Sequence, residues 1–285
     1  MMTNSRILNW LIKINLIIKY RLKNRFSNAA IVSNAPVVVS LTSYGERTSK
    51  VFYAIESIAN GKVLPSRIIL WLDNEHQFNH LPAELKRLKS RGLEIFLAEN
   101  YGPHTKYFPY VNNLSEHVLP LVTADDDIFY PIFWLKNLYE SYVKTPSVVN
   151  CYRAHVVLLD KEQQEVESFK FWQICSSTDA SYFNQATGVS GVIYPPDFLN
   201  KIKASGDVFL ACCPNADDIW LHAIALRNGY QVKQIEPEAY HFLTLPFTQK
   251  NGLFNANIFL GLNDKQAKMT YNRSDINTLK QDAPH

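Results

Sequence analysis

The 285-residue sequence predicts an α/β fold with a mostly parallel central sheet flanked by helices. Three observations lead there. Four short apolar runs, VVVSL (37–41), IILWL (68–72), LEIFLA (93–98) and LPLVTA (119–124), have the length and the aliphatic, largely unalternating character of strands buried on both faces. Single helical patterns separate them, and strand–helix–strand order implies right-handed crossovers and parallel pairing. An apolar fraction of 47% and a charged fraction of 19% are ordinary for a globular protein with a sizeable core.

The elements follow in order. The arm SRILNWLIKINLIIKYRLKNRF has clumped apolar residues interrupted by Lys13, too short an uninterrupted run for the ~20 residues that span a bilayer. It also has neither the unbroken apolar part nor the small-residue cleavage site of a signal peptide. Residues 1–45 hold six basic residues and no acid, leaving 23 basic against 26 acidic residues beyond them. A mildly acidic body argues against a nucleic-acid face. The basic arm, with Trp10 and its aliphatics, suits an anionic membrane surface through residues 6–25, or else packs on the body. SNAAIVSNAP (27–36) is small and polar enough for a linker, so residues 1–34 are expected as arm plus linker.

After the first strand, Val51, Ala54, Ile55 and Ile58 give helical spacing over 49–60, stopped by Gly61. Pro82 opens a helix that ends at Gly92, and another helix is expected near 107–117. A helix over 130–143 leads to the strand runs SVVNC and HVVLL. ATGVSGVIYPP is a small-residue stretch entering a strand. Asp217 and Asp218 directly precede an amphipathic helix over 219–227, and the strand YQVKQIE follows. From Leu243 no pattern is evident. The main domain is therefore assigned to 35–260 and a polar tail to 261–285.

Several classes are excluded. No GxxxxGK[ST], GxGxxG after the first strand, HExxH or GxSxG is present. The four cysteines form no CxxC pair, which leaves reduced thiols as the plain reading. A nucleotidyltransferase shares this fold logic and is disfavoured rather than excluded, since it normally has a Gly-rich phosphate loop after the first strand, where LTSYGERTSK has one Gly.

In parallel sheets, ligands bind beyond the carboxyl ends of the strands. The loops Thr42–Arg47, Asp73–Glu75, Gly102–Lys106 and the triplet Asp125-Asp126-Asp127 should therefore converge. Three adjacent carboxylates repel unless a cation relieves them. A hard divalent cation wants oxygen ligands, and a diphosphate wants its charge neutralised. If the chain stays extended, Asp125 and Asp127 share a side and Asp126 faces away, with least weight in metal binding. Helix N-capping accounts for one acid of the three, and equally for Asp217 or Asp218. The other acid of that second pair would be a general base or an acceptor ligand.

LTSYGERTSKVFYAIESI, RIILWLDNE, GPHTKYFPYV, TADDDIFYPIFWLKNLYESY, ATGVSGVIYPP and NADDIWLHAIALRNG, in this order over residues 37–236, resemble bacterial GT-A glycosyltransferases related to family 2, of the surface-polysaccharide type. The resemblance implies the GT-A (nucleotide-diphospho-sugar transferase) fold. It also implies a nucleotide-sugar donor, a UDP-sugar favoured, on the sheet edge. The Thr42–Arg47 loop would hold the nucleoside, with Tyr44 stacking on the base and Arg47 meeting phosphate or base. Asp73 falls where many such enzymes read the base, and Lys106 would pair with the diphosphate. Asp125, Asp126 and Asp127 match the DXD motif, which binds donor through Mn²⁺ or Mg²⁺, with Asp127 and Asp125 as metal ligands and His241 as a third. Asp217 or Asp218 matches the catalytic base of inverting members. Gly188 and Gly191 fit a stretch where substrate approaches backbone.

The motif of processive members is missing, which implies transfer of single sugars to a glycan or lipid-linked acceptor. The implied location is cytoplasmic, with peripheral attachment to the inner face of the membrane. A non-catalytic module of the same fold, binding a sugar nucleotide or tethering an assembly complex, is the competing expectation.

Overall fold

The computed structural model describes residues 6–246 and 261–282. Its centre is a seven-stranded sheet in the order β11-β6-β10-β4-β1-β2-β3. These strands are β1 (Ala35–Ser43), β2 (Pro65–Leu72), β3 (Leu93–Leu97), β4 (Leu121–Ala124), β6 (Val149–Cys151), β10 (Val192–Tyr194) and β11 (Val232–Gln234). All pairs are parallel except those of β10, which runs antiparallel to both β4 and β6. The expected sheet is present, with one reversed strand in its middle. A two-stranded ribbon joins β5 (Ile128–Phe129) to β12 (Leu243–Thr244), and a small sheet holds β7 (Ala154–Val156), β8 (Gln173–Ile174) and β9 (Asn184–Ala186). Only the start of HVVLL is strand, and it belongs to that small sheet.

Both faces of the main sheet are covered, which explains the unalternating apolar runs. Val38, Ile69, Trp71, Leu121 and Tyr194 face one core with α5 (Phe108–Asn113), α7 (Pro196–Ala204) and α9 (Asp217–Arg227). Val39, Leu41, Leu70, Val122 and Ile193 face the other with α2 (Phe52–Ile58), α4 (Ala83–Ser90) and α6 (Trp134–Lys144). Two short helices, α3 (Glu75–Asn79) and α8 (Phe209–Cys212), fill connections. The helix expected over 107–117 is shorter, beginning with Pro109 in its first turn and ending at Asn113.

The register fixes where the site lies. Leu41 pairs with Ala124, Ser43 with Leu72, and Leu72 with Leu97. The carboxyl ends of β1, β2, β3 and β4 therefore form one edge, and the loops that leave them start side by side.

The N-terminal arm is the helix α1 (Arg6–Phe26) and it packs on the body. Tyr20 is buried with Phe129, Leu243 and Leu245. Asn24 donates to Glu56 (3.1 Å) and to the Glu84 carbonyl (3.2 Å), and Lys23 donates to the Ala59 carbonyl (2.8 Å). The supposed linker is not free chain. Ile31 is fully buried, and Ile31 and Ser33 donate to the carbonyls of Arg91 (3.0 Å) and Pro65 (2.8 Å). The outward face of α1 presents Ile7, Leu11, Ile18 and Leu22 to solvent, bordered by Lys19, Arg21 and Arg25. No described helix is long and apolar enough to cross a membrane.

The expected polar tail also folds. α10 (Leu262–Thr270) and α11 (Arg273–Gln281) lie on α9, with Ile276 and Leu279 buried and Asp275 paired to Arg227 at 2.8 Å. Asn272 forms a capping box with Asp275. The Gln266 carboxamide accepts from the Asn215 N–H (2.7 Å), so this segment braces the loop entering α9. Each of these helices buries only a few residues among many polar ones, so neither carries a clear apolar period.

Two buried histidines are held neutral. His104 Nδ1 accepts from Tyr107 Oη (2.6 Å) while Nε2–H donates to the Cys213 carbonyl (2.8 Å); His222 uses Tyr271 Oη (2.7 Å) and the Tyr182 carbonyl (2.8 Å) in the same way. Burial pushes both pKa values down to about 4. A depressed histidine pKa means that the unfolded chain takes up the proton first as pH falls. Stability is thus present above the unfolded value near 6.5 and is lost toward 4, by about 2 kcal/mol per histidine between pH 7 and 5. Urea melts at these two pH values should show the drop, and His222→Gln should remove about half of the part these two histidines supply; equal midpoints at both pH values would contradict the neutral assignment.

Candidate functional site

β4 is buried throughout and ends at Ala124, where the chain turns. The Asp125 N–H donates to Tyr130 Oη (2.8 Å), and the Asp127 carbonyl accepts from the Leu245 N–H (2.7 Å). The triplet is therefore a turn between β4 and β5, and the alternation of an extended strand does not apply. This corrects the expectation that Asp126 points away from the site while Asp125 and Asp127 share a side. Asp126 and Asp127 both pair with the Arg47 guanidinium, Asp126 at 2.8 Å, and Asp126 also accepts from Ser43 Oγ at 2.5 Å. Asp125 turns to Lys106 Nζ at 3.2 Å.

Burial raises the Asp126 pKa to about 7, against the opposing pull of Arg47 and Ser43. Burial works against the charge on Arg47, but Asp126 and Asp127 more than offset it, so its pKa is raised. The Arg47 guanidinium sits 5.6 Å from the centre of the half-exposed Tyr44 ring, a cation–π contact. Among the described residues its buried Nε–H has no acceptor. A buried donor without a partner is costly, and an incoming oxyanion would satisfy it.

Thr42 Oγ1 donates to the Trp71 carbonyl (3.1 Å), tying β1 to β2 rather than facing open space. Asp73, at the end of β2, is half-buried and its pKa is raised by that burial.

Lys106 joins the two acidic groups. Its carbonyl is clamped by Ser40 Oγ (2.7 Å), and its ammonium lies 3.2 Å from both Asp125 and Asp217. Burial alone would lower its pKa, but Asp125, Asp217 and Asp218 hold it well above the usual value. Asp217 and Asp218 open α9, whose N-cap is Ala216 with no side-chain cap. Neither acid is the capping residue. Asp218 Oδ1 accepts from the Gly188 N–H (3.0 Å), and burial, then the Asp217 charge, raises its pKa well above the carboxylate range.

A Cβ at Gly188 would lie 3.2 Å from that oxygen and 3.3 Å from Lys106 Nζ, so glycine permits the close approach. Gly191 has another reason. Its φ is +97° and a Cβ there would lie 2.6 Å from Trp134 Nε1, so it accommodates the Trp134 ring rather than substrate.

His241 is directed at Arg153, whose Nη1 is 2.5 Å from His241 Nε2, and not at the triplet. Among the described residues no three His, Cys, Asp or Glu side chains converge as a complete metal site. The donor set suits a different kind of binding. One or two carboxylates suffice for a hard cation that brings phosphate oxygens with it, and Asp125 and Asp127 flank that edge.

Ser43, Tyr130 and Arg153 were not singled out by sequence. Ser43 and Tyr130 lie inside quoted motifs, but their roles depend on contacts across the fold.

No family model and no curated protein matches the sequence. Solved structures do. The chain is similar to a mannosyltransferase from Pyrobaculum calidifontis in complex with GDP-Man and Mn²⁺, with 12% identity, 92% of this chain and 73% of that one covered, and a TM-score of 0.52. Weaker likenesses are GalNAc-T7 with UDP, GalNAc and Mn²⁺ (11% identity, 69% and 41% covered, TM-score 0.45) and a CMP:2-keto-3-deoxy-manno-octonic acid synthetase complexed with CTP (7%, 70% and 88%, 0.40). The seven-stranded, mostly parallel sheet with its helical layers is the GT-A fold.

Proposed function

We propose that this chain is a metal-dependent glycosyltransferase. It moves one sugar from a nucleotide-sugar donor, a UDP-sugar favoured, to a lipid-linked glycan acceptor in bacterial surface-polysaccharide synthesis, by an inverting displacement. What supports the reading is the meeting of Arg47, Lys106, Asp125, Asp126, Asp127, Asp217 and Asp218 on one edge of a GT-A sheet.

Asp127 and Asp125 would hold Mn²⁺ or Mg²⁺, which when bound neutralises charge on the diphosphate leaving group. Arg47, through its unsatisfied Nε–H, and Lys106 would bind phosphate oxygens. Tyr44 would lie against the base, and Asp73 at its edge. Asp218 is the better base of its pair: burial has raised its proton affinity, whereas Asp217 is ion-paired with Lys106. The acceptor oxygen forms its bond to the anomeric carbon as the nucleoside diphosphate leaves, and the hydroxyl proton passes to Asp218.

A panel of UDP-, GDP- and CMP-sugars with Mn²⁺ should show metal-dependent thermal stabilisation and nucleotide release with one donor. The carboxylates already carry ion pairs with Arg47 and Lys106, which is what a silent, non-catalytic module would retain. Stabilisation without release across acceptors would favour that module instead.

The solvent face of α1 supports peripheral attachment to the cytoplasmic membrane. An apolar stripe bordered by Lys19, Arg21 and Arg25 suits an anionic lipid surface. The protein should float with phosphatidylglycerol vesicles, less so in high salt, and lose binding as Leu11→Glu/Ile18→Glu. Retention of binding by that double variant would remove α1 from the role.

A further inference from the structure

Arg153 differs from the other well-paired arginines of the fold. Arg91 meets Glu56, Arg227 meets Asp275, Arg67 meets Glu94, and Arg47 meets the acid triplet. Arg153 is only 8% exposed, yet its side-chain contacts are two histidines: Nη1 to His241 Nε2 (2.5 Å) and Nη2 to His155 Nε2 (3.5 Å). No carboxylate pairs with it among the described residues, and residues 247–260 contain no Asp or Glu. A buried guanidinium without a counter-charge is costly.

The histidines do not supply that charge. For the guanidinium to donate to both Nε2 atoms, each ring must be neutral. In His155 the proton is then on Nδ1, which donates to Thr187 Oγ1 (3.3 Å). Burial, and then the Arg153 charge, lowers both imidazole pKa values, that of His155 to about 4. The resting cluster is a single buried positive charge. His241 is exposed, so the guanidinium opens to solvent once that ring swings aside.

The location is close to the proposed base. The Arg153 carbonyl accepts from the Thr187 N–H (2.9 Å), and the next N–H, that of Gly188, donates to Asp218. Arg47 and Lys106 already serve the carboxylate edge where the donor diphosphate would lie, so this cluster is a separate positive locus on the base side.

We propose that Arg153, His155 and His241 form an oxyanion subsite that takes the negatively charged group of the acceptor, a phosphate or a carboxylate. Its assignment to an acceptor rests on the glycosyltransfer reading; its affinity for an oxyanion does not. A guanidinium offers two parallel N–H donors to such a group, and a displaced His241 ring still carries its Nδ1–H as a further donor, whereas the N–H of His155 stays on Thr187.

Calorimetric titration of the full chain with inorganic phosphate and with glucuronate tests this. The wild type should bind at least one of them, and Arg153→Gln and His241→Gln should each weaken that binding tenfold or more. Affinity for UDP and GDP with Mn²⁺ should change less than twofold. Tighter phosphate points to a phosphate-bearing acceptor, and tighter glucuronate to a uronic acid. If Arg153→Gln does not fold, His241→Gln carries the test, because its side chain is exposed. The proposal is overturned if neither probe binds the wild type or if a folded variant binds as the wild type does. It is also overturned if nucleotide affinity falls in parallel, which would place the cluster in the donor site. A donor panel without turnover would remove only the assignment to an acceptor.

Discussion

Replacing Asp127 with Asn is expected to lower sugar transfer by about three orders of magnitude, the kinetic equivalent of about 4 kcal/mol of lost stabilisation of the leaving group. The fold should survive. Arg47 keeps Asp126 as a partner at 2.8 Å, and the turn is held by the Asp127 carbonyl, which the substitution does not alter. The loss should therefore appear in turnover and in the concentration of Mn²⁺ needed for half-maximal rate, with an unchanged melting temperature in the absence of ligand. Turnover equal to wild type at saturating metal would sink the metal role of Asp127. Asp126 is the informative neighbour, because it is more enclosed and touches Ser43. It should matter through the placement of Arg47, and its neutral form is already accessible near pH 7.

The second large effect concerns Asp218. Asp218→Asn should reduce transfer by about 10²–10⁴-fold, the range for removal of a general base, while affinity for Mn²⁺ and nucleoside diphosphate stays within a factor of about two on this base-only assignment. Gly188 can still donate to the amide oxygen, so local geometry is preserved. Burial and the Asp217 charge raise the Asp218 pKa, and Lys106 opposes them. A base acts when deprotonated, so kcat/KM should climb with pH through that raised pKa, above the ordinary carboxylate range, and Asp218→Asn should abolish the limb. A larger loss in Asp217→Asn, with Asp218→Asn retaining more than a tenth of the rate, would exchange the two roles.

The legible part of this site was its location. Strand polarity sends the loops after β1, β2, β3 and β4 to one edge, so Thr42–Arg47, Asp73, Lys106 and the triplet could be gathered from sequence. Their pairing was not legible. Asp125 and Asp127 were expected on one side because an extended chain alternates, but Asp126 and Asp127 occupy a turn and share Arg47. His241 resembled a metal ligand by its place after the last strand, whereas the fold sets it against Arg153. Arg153 gave no signal, since an arginine after a buried strand is ordinary until its lack of a carboxylate is visible.

The C-terminal helices escaped for a related reason. α10 and α11 bury few apolar residues and hold to α9 through Asp275, Arg227 and Gln266. Polar anchors leave little periodicity.

By itself, the sequence determined the order of the four parallel strands and the helices between them, the covered sheet and the edge at which acids and bases meet. These follow from local periodicity and from chain direction, which act over a few residues or one crossover. Only the tertiary structure decided which acid holds which base, that α1 turns Asn9 and Asn24 inward and leaves Ile7, Leu11, Ile18 and Leu22 at the surface, and that Arg153 is left without a counter-charge. Those outcomes depend on side chains tens to more than a hundred residues apart in the chain, and on the backbone path of single turns, which neighbouring residues do not encode.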